Sequence, residues 1–160
     1  MRRGLLNWSK EELPESVFDG RVARLQGAMI DAGLGAVLGY TNFPRPAAVS
    51  YLTHFVPYWN QCLLVVLPEG APELIVSLSK RVAGWIMETS HVGEVICTPN
   101  IGLELTSLLA GAGLASNKIG IVEMDKIPRP IIQAVLDADA GYDVSAASTL
   151  FAGVRNPADE

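Results

Sequence analysis

The sequence predicts a mixed α/β domain of three layers: a mostly parallel sheet of five to six strands with one antiparallel hairpin, and helices on both faces. Three observations carry this. Cys62-Leu63-Leu64-Val65-Val66-Leu67 is a continuous apolar run rich in Val and Leu, the composition of a strand buried on both faces. Pro68-Glu69-Gly70-Ala71-Pro72 closes it and Leu74-Ile75-Val76-Ser77-Leu78 follows at once, so the two runs form a hairpin. On either side of the hairpin, short apolar runs alternate with stripes of helical period, which implies crossover units and a parallel component.

In chain order, Ser9-Lys10-Glu11-Glu12 has the pattern of a capping box, but Pro14 limits any helix there to a turn. From Ser16, read as an N-cap, Phe18, Val22, Leu25 and Met29 recur at helical spacing with Asp19, Arg21, Arg24 and Gln26 between them; Gly33 ends the helix. Residues 36–40 read as a strand. A proline-bearing connection, 41–46, leads to a short helix over 47–52, and the hairpin follows.

After the hairpin, Val82, Trp85 and Ile86 make a stripe within 79–88, and 92–97 is a strand. Asn100 caps a helix whose Leu105, Leu108, Leu109 and Ala112 share one face, with Gly111 and Gly113 at its end. Residues 118–124 form another strand. Pro128 and Pro130 suit the first turn of a helix from about 127, with Ile132, Val135 and Leu136 turned inward. A short strand at 142–144 leads to a partly helical tail.

Composition narrows the class. A chain of 160 residues that is 49% apolar and only 18% charged buries one core without metal or disulfide staples. A net charge of −5 gives no basic footprint for nucleic acid. No apolar run approaches the roughly 20 residues of a membrane span. Leu5-Leu6 is too short for a signal peptide, and Arg2-Arg3 lacks the apolar stretch of a twin-arginine signal, so a cytoplasmic protein is expected. Cys62 and Cys97 fall in strand-like runs and read as packed free thiols.

No catalytic constellation is visible. Gly33-Leu34-Gly35-Ala36-Val37-Leu38-Gly39 runs from helix to strand, whereas phosphate binding needs strand to helix, and Gly111-Ala112-Gly113 fails in the same way. His54 and His91 are far apart in sequence, and Asp137-Ala138-Asp139 reads as a solvated acidic pair, so no metal ligands are assigned. Neither Ser nor Cys stands in a nucleophile elbow. Tyr58 and Trp59 differ in kind: packing of both against the hairpin is the favoured reading, since Trp is highly buried on average, but adjacent aromatics on a loop do not both enter one core easily, and Asn60 beside them offers hydrogen bonds to a ligand or interface.

Four segments carry a resemblance to a family. Arg21-Val22-Ala23-Arg24-Leu25 through Met29-Ile30-Asp31-Ala32-Gly33-Leu34 resembles the opening helix of the N-terminal domain in the creatinase, prolidase and aminopeptidase P superfamily, with Gly35 where the family often has Asp. Tyr51-Leu52-Thr53-His54-Phe55 is similar to its Tyr-Leu-Thr-Gly-Phe, with His54 in place of the glycine. Lys118-Ile119-Gly120-Ile121-Val122-Glu123 resembles its Ile-Gly-hydrophobic-Glu strand, and Val154-Arg155-Asn156-Pro157-Ala158-Asp159-Glu160 the Ile-Lys-Ser-Pro-x-Glu stretch that begins its interdomain link.

The resemblance implies a ribonuclease H-like domain over 16–152, an N-terminal extension over 1–15 and the start of a linker over 153–160. It also implies that catalysis belongs to a following pita-bread domain, where two Asp, one His and two Glu hold two divalent ions (Mn, Co or Zn). This chain alone is then expected to be inactive, with no catalytic residue, cofactor or metal site of its own. Its expected partners are that catalytic domain and further copies of itself, with no nucleic acid and no membrane. Family members use this domain for oligomerisation and for closing over a neighbour's active site, which nominates Phe55, Tyr58, Trp59 and Asn60 as substrate-gating candidates. The competing class is a free-standing module binding a small metabolite through the aromatic loop.

Overall fold

A computed structural model describes residues 7–42, 44, 47–57 and 60–155. The order of elements is α1 (Glu15–Asp31), β1 (Ala36–Thr41), α2 (Ala47–Thr53), β2 (Cys62–Val66), β3 (Glu73–Val76), a 3-10 turn (Lys80–Val82) running into α3 (Ala83–Thr89), and β4 (Glu94–Cys97). Then come α4 (Ile101–Gly111), β5 (Lys118–Val122), a second 3-10 turn (Met124–Lys126), α5 (Arg129–Leu136), β6 (Asp143–Ala146) and α6 (Ser148–Val154).

The six strands form one sheet in the order β4-β3-β2-β1-β5-β6. Three pairings are parallel, β3 with β4, β1 with β5 and β5 with β6; β2 is antiparallel to both β1 and β3. Thus β2 alone runs against the other five. The hairpin is the β2–β3 pair, and the second antiparallel pairing arises because α2 returns the chain beside β1 in the opposite sense.

Alternation along the strands feeds two cores. Val37, Cys62, Leu64, Val66, Leu74 and Val76 face α1, α2, α3 and α6, while Leu38, Leu63, Val65, Ile75, Ile119 and Ile121 face α4 and α5. All five residues of β2 are buried, as a two-faced apolar run requires.

Ser9 to Glu12 closes the expected single turn, with the Leu13 N–H donating to the Ser9 carbonyl at 2.9 Å. Several local readings change. The first helix opens at Glu15 with Pro14, not Ser16, in the cap position; the strand expected over 118–124 ends at Val122, and the one expected over 142–144 spans Asp143–Ala146. The predicted strand over 92–97 begins at Glu94. In α5 the buried pair is Ile131 and Val135, and Leu136 is 50% exposed, because contact with α4 sets the face one residue earlier than the composition suggested. For α4 the inward residues are Ile101, Leu105 and Leu109; Ala112 lies beyond the helix and is exposed.

Arg21 also departs from expectation, since it lies 7% exposed among the apolar residues of α1. One turn from Phe18 and from Leu25, it cannot leave their face. Its guanidinium instead lies 5.3 Å from the Phe18 ring and 4.2 Å from the Tyr51 ring, and Nη1 donates to the Tyr51 carbonyl at 2.9 Å.

Both cysteines are free, Cys62 buried and Cys97 partly so. Burial, with Cys97 adding to it, pushes the Cys62 thiol far above its ordinary range; burial raises Cys97 too, against a lowering influence of Lys80. Since the thiolate is the nucleophile, an alkylating reagent is expected to label Cys97 first and Cys62 only on unfolding. Peptide mapping after timed iodoacetamide treatment reads this, and early labelling of Cys62 would contradict it. No helix among the described residues is long and apolar enough to cross a membrane.

Candidate functional site

Because β2 is the reversed strand, the segment that enters it lies at the edge where the other five strands finish. Ligands of open α/β sheets gather outside such carboxyl ends. Chain reversal thus places Asn60 and Gln61 beside the ends of β1 and β3. Tyr40 Oη donates to Gln61 Oε1 at 3.2 Å, Asn60 Nδ2 donates to the Ser77 carbonyl at 3.1 Å, and Ser77 Oγ donates to the Gln61 carbonyl at 3.1 Å. Burial pushes the Tyr40 hydroxyl above its ordinary range, and a hydrogen bond with Asn42 works against that shift. Asn42 Oδ1 is buried and accepts no hydrogen bond among the described residues. The edge is therefore rich in amide and hydroxyl groups suited to orienting a polar ligand.

The four gating candidates are placed differently. Phe55 is 2% exposed in the core under α1 and α2, with its N–H donating to Thr53 Oγ1 at 3.1 Å. As it stands, its ring anchors the loop and does not reach solvent. Asn60 is half-buried and tied to β3 as described. Tyr58 and Trp59 lie outside the described residues.

Sequence reasoning missed a second cluster at the start of the same loop. His54 and His91, separated in sequence by β2, β3 and α3, are brought together around Trp8 and Phe18. Trp8 stacks on His54 with ring centres 5.9 Å apart and planes at 28°, and meets Phe18 at 5.4 Å and His91 at 6.4 Å edge-on. Phe18 in turn stacks on His91 at 5.6 Å and meets His54 at 6.1 Å. His91 Nε2 lies 3.1 Å from Asp19 Oδ1, its N–H donates to the Thr53 carbonyl at 2.8 Å, and His54 Nδ1 lies 3.4 Å from the Thr89 carbonyl.

The one signal of this cluster in the sequence is His54 in place of the glycine of Tyr-Leu-Thr-Gly-Phe. Its φ is +63°, a left-handed conformation that costs a non-glycine residue about 1–2 kcal/mol. Aromatic ring pairs are worth about 0.5–1.5 kcal/mol each beyond the area they bury, so contacts with Trp8 and Phe18 together offset the strain.

The donors do not suit a metal. Among the described residues no three His, Cys, Asp or Glu side chains converge on a point, and the imidazole of His91 is already paired with Asp19. The two ions that the family resemblance assigns to a following catalytic domain find no set of ligands among the described residues.

No family model matches the chain, and no curated protein matches it in sequence. Solved structures match its fold. An aminopeptidase P from Streptococcus thermophilus aligns over 87% of this chain and 98% of its own, with a TM-score of 0.65 at 18% identity. The N-terminal domain of the cytoplasmic peptidase PepQ from Mycobacterium tuberculosis aligns over 84% and 98%, with a TM-score of 0.65 at 20% identity. A prolidase from Thermococcus sibiricus gives a TM-score of 0.68 at 17% identity, over 86% of this chain and 36% of that one. The chain thus spans about a third of the whole prolidase. With its reversed β2, its two-faced core and these alignments over most of its length, the chain has the fold of the N-terminal domains of aminopeptidase P and prolidase, the creatinase N-terminal type.

Proposed function

We propose that this chain is the non-catalytic N-terminal domain of a cytoplasmic metal-dependent hydrolase of the Xaa-Pro dipeptidase, aminopeptidase P or creatinase type. Its substrate class is a peptide with an Xaa-Pro bond or a related small amide or amidino compound. In this reading the two divalent ions belong to a following catalytic domain, and this domain contributes to oligomerisation and restricts substrate size with the loop after α2. Phe55 anchors that loop, while Tyr58, Trp59 and Asn60 form its contacting part. The observation that carries the reading is the match of the fold to isolated and attached N-terminal domains of such peptidases. The free cysteines agree with a reducing compartment.

The experiment joins the chain to whatever reading frame follows Glu160, then compares Trp59→Ala and Asn60→Ala with the parent. A gating role predicts that kcat/KM for a dipeptide falls about tenfold, or changes its size selectivity, while Tm moves by only a few degrees. The reverse pattern would make the loop a packing element. Tight stoichiometric binding of Mn, Co or Zn by this chain alone, or turnover of a dipeptide by it, would overturn the assignment. A stop codon after Glu160 together with tight binding of a small metabolite would favour a free-standing module.

A further inference from the structure

The Trp8 cluster lies on the loop that the proposed function uses, but no step of that function needs it. Residues 8–13 are closed on themselves: Trp8 Nε1 donates to the Leu13 carbonyl at 2.7 Å, and the Leu13 N–H donates to the Ser9 carbonyl at 2.9 Å. Lys10 sits 4.7 Å over the Trp8 ring and pairs with Glu15 at 2.5 Å, tying the segment to the first turn of α1. Ser9, Lys10, Glu11 and Glu12 are exposed, and Trp8 is the largest side chain of the segment to turn inward. Its seat is the ring of His54, the residue held at positive φ as the chain leaves α2.

We propose that residues 8–13 are a strap that sets the conformation of the loop leaving α2. Trp8 holds His54 in its left-handed turn from one side, while the Thr89 and His91 segment holds it from the other. His54 is a positioning residue: its side chain, which a glycine would lack, is what the strap grips. The strap belongs to the weakly held end of the molecule, because beyond its two internal hydrogen bonds its fixings are one exposed ion pair and ring contacts, and it leaves without opening the deep core. Displacing Trp8 therefore frees the turn at His54 and Phe55, where the chain leaves α2. This inference deepens the gating reading and takes its functional weight from it.

Coupling between two sites is reciprocal, so each side must respond when the other is altered. Amide hydrogen exchange on this chain reads both sides. The loop probes are the N–H groups of His54 and Phe55, bonded to the Ser50 carbonyl and Thr53 Oγ1, and the strap probe is that of Leu13. In Trp8→Ala the loop amides are expected to exchange about tenfold faster, with the amides of β2 unchanged, and Trp8→Phe should restore most of the protection. In His54→Gly the Leu13 amide should exchange about tenfold faster while Tm holds within a few degrees, since the backbone strain is relieved.

Loop amides unmoved in Trp8→Ala, or a Leu13 amide unmoved in His54→Gly, would overturn the proposal. So would a rise in exchange spread equally over β2. None of these readouts uses activity, so failure here leaves the kcat/KM test of Trp59 and Asn60 standing, and failure there leaves the strap standing.

Discussion

Replacing Gly35 by aspartate is expected to destabilise the fold by more than about 3 kcal/mol, although aspartate is the residue the resembling family often carries there. A Cβ at Gly35 would lie 1.9 Å from the Ser116 carbonyl oxygen and 3.0 Å from its carbon. Both are backbone atoms and cannot rotate aside. The Gly35 N–H donates to the Lys118 carbonyl at 2.8 Å, and this bond leads into the β1–β5 pairing at Ala36↔Ile119. Relieving the clash means shifting the 114–118 turn that leads into β5, or parting β1 from β5 where they first pair. Overpacking typically costs about 1–3 kcal/mol when side chains yield, and more is expected where backbone must move. Against a total stability of about 5–15 kcal/mol, the aspartate is expected to remove a large share of it, lowering Tm further than alanine does. Gly35→Ala tests the geometry more gently: a loss near 3 kcal/mol would lower Tm by about 10 °C by calorimetry. An alanine variant melting with the parent would show that the 114–118 turn yields.

Phe55→Ala is expected to cost about 3–5 kcal/mol, the range for emptying a buried aromatic site. Phe55 is 2% exposed and packs in the larger core beside the helices it joins, with no route to relax outward. The expected denaturation profile is a lower midpoint at unchanged slope, which marks lost stability and not a changed unfolded state. Asn60→Ala removes one hydrogen bond to the Ser77 carbonyl, worth about 0.5–1.5 kcal/mol, so the two variants should separate clearly. Near-equal small losses would instead mean that Phe55 swings out in solution, and would return its ring to the contacting part of the loop.

Gly120 gives the family resemblance a physical basis. A Cβ there would meet the Ala147 Cβ at 2.9 Å, Leu34 Cδ1 at 3.0 Å and Val37 Cγ2 at 3.3 Å, so the glycine of the Ile-Gly-hydrophobic-Glu strand lets β1 and the start of α6 pack closely against β5. The neighbouring Glu123 has a φ of +50°, and its N–H donates to Ser148 Oγ at 2.8 Å, which turns the chain out of the sheet. The motif thus encodes close approach and a turn, with no reacting group.

Sequence alone determined the elements and the two-faced sheet, because a run such as 62–67 and a stripe such as Phe18, Val22, Leu25 and Met29 state their burial through spacing along the chain. Helix and strand periods are local, and so is the information that records them. Tertiary structure alone decided that Arg21 is buried between two rings, that Ile131 and not Leu136 faces α4, and that Trp8, Phe18, His54 and His91 share one site. Those outcomes depend on which surfaces meet after the chain has folded back on itself, and residues 8, 18, 54 and 91 come from four segments whose spacing leaves no local trace.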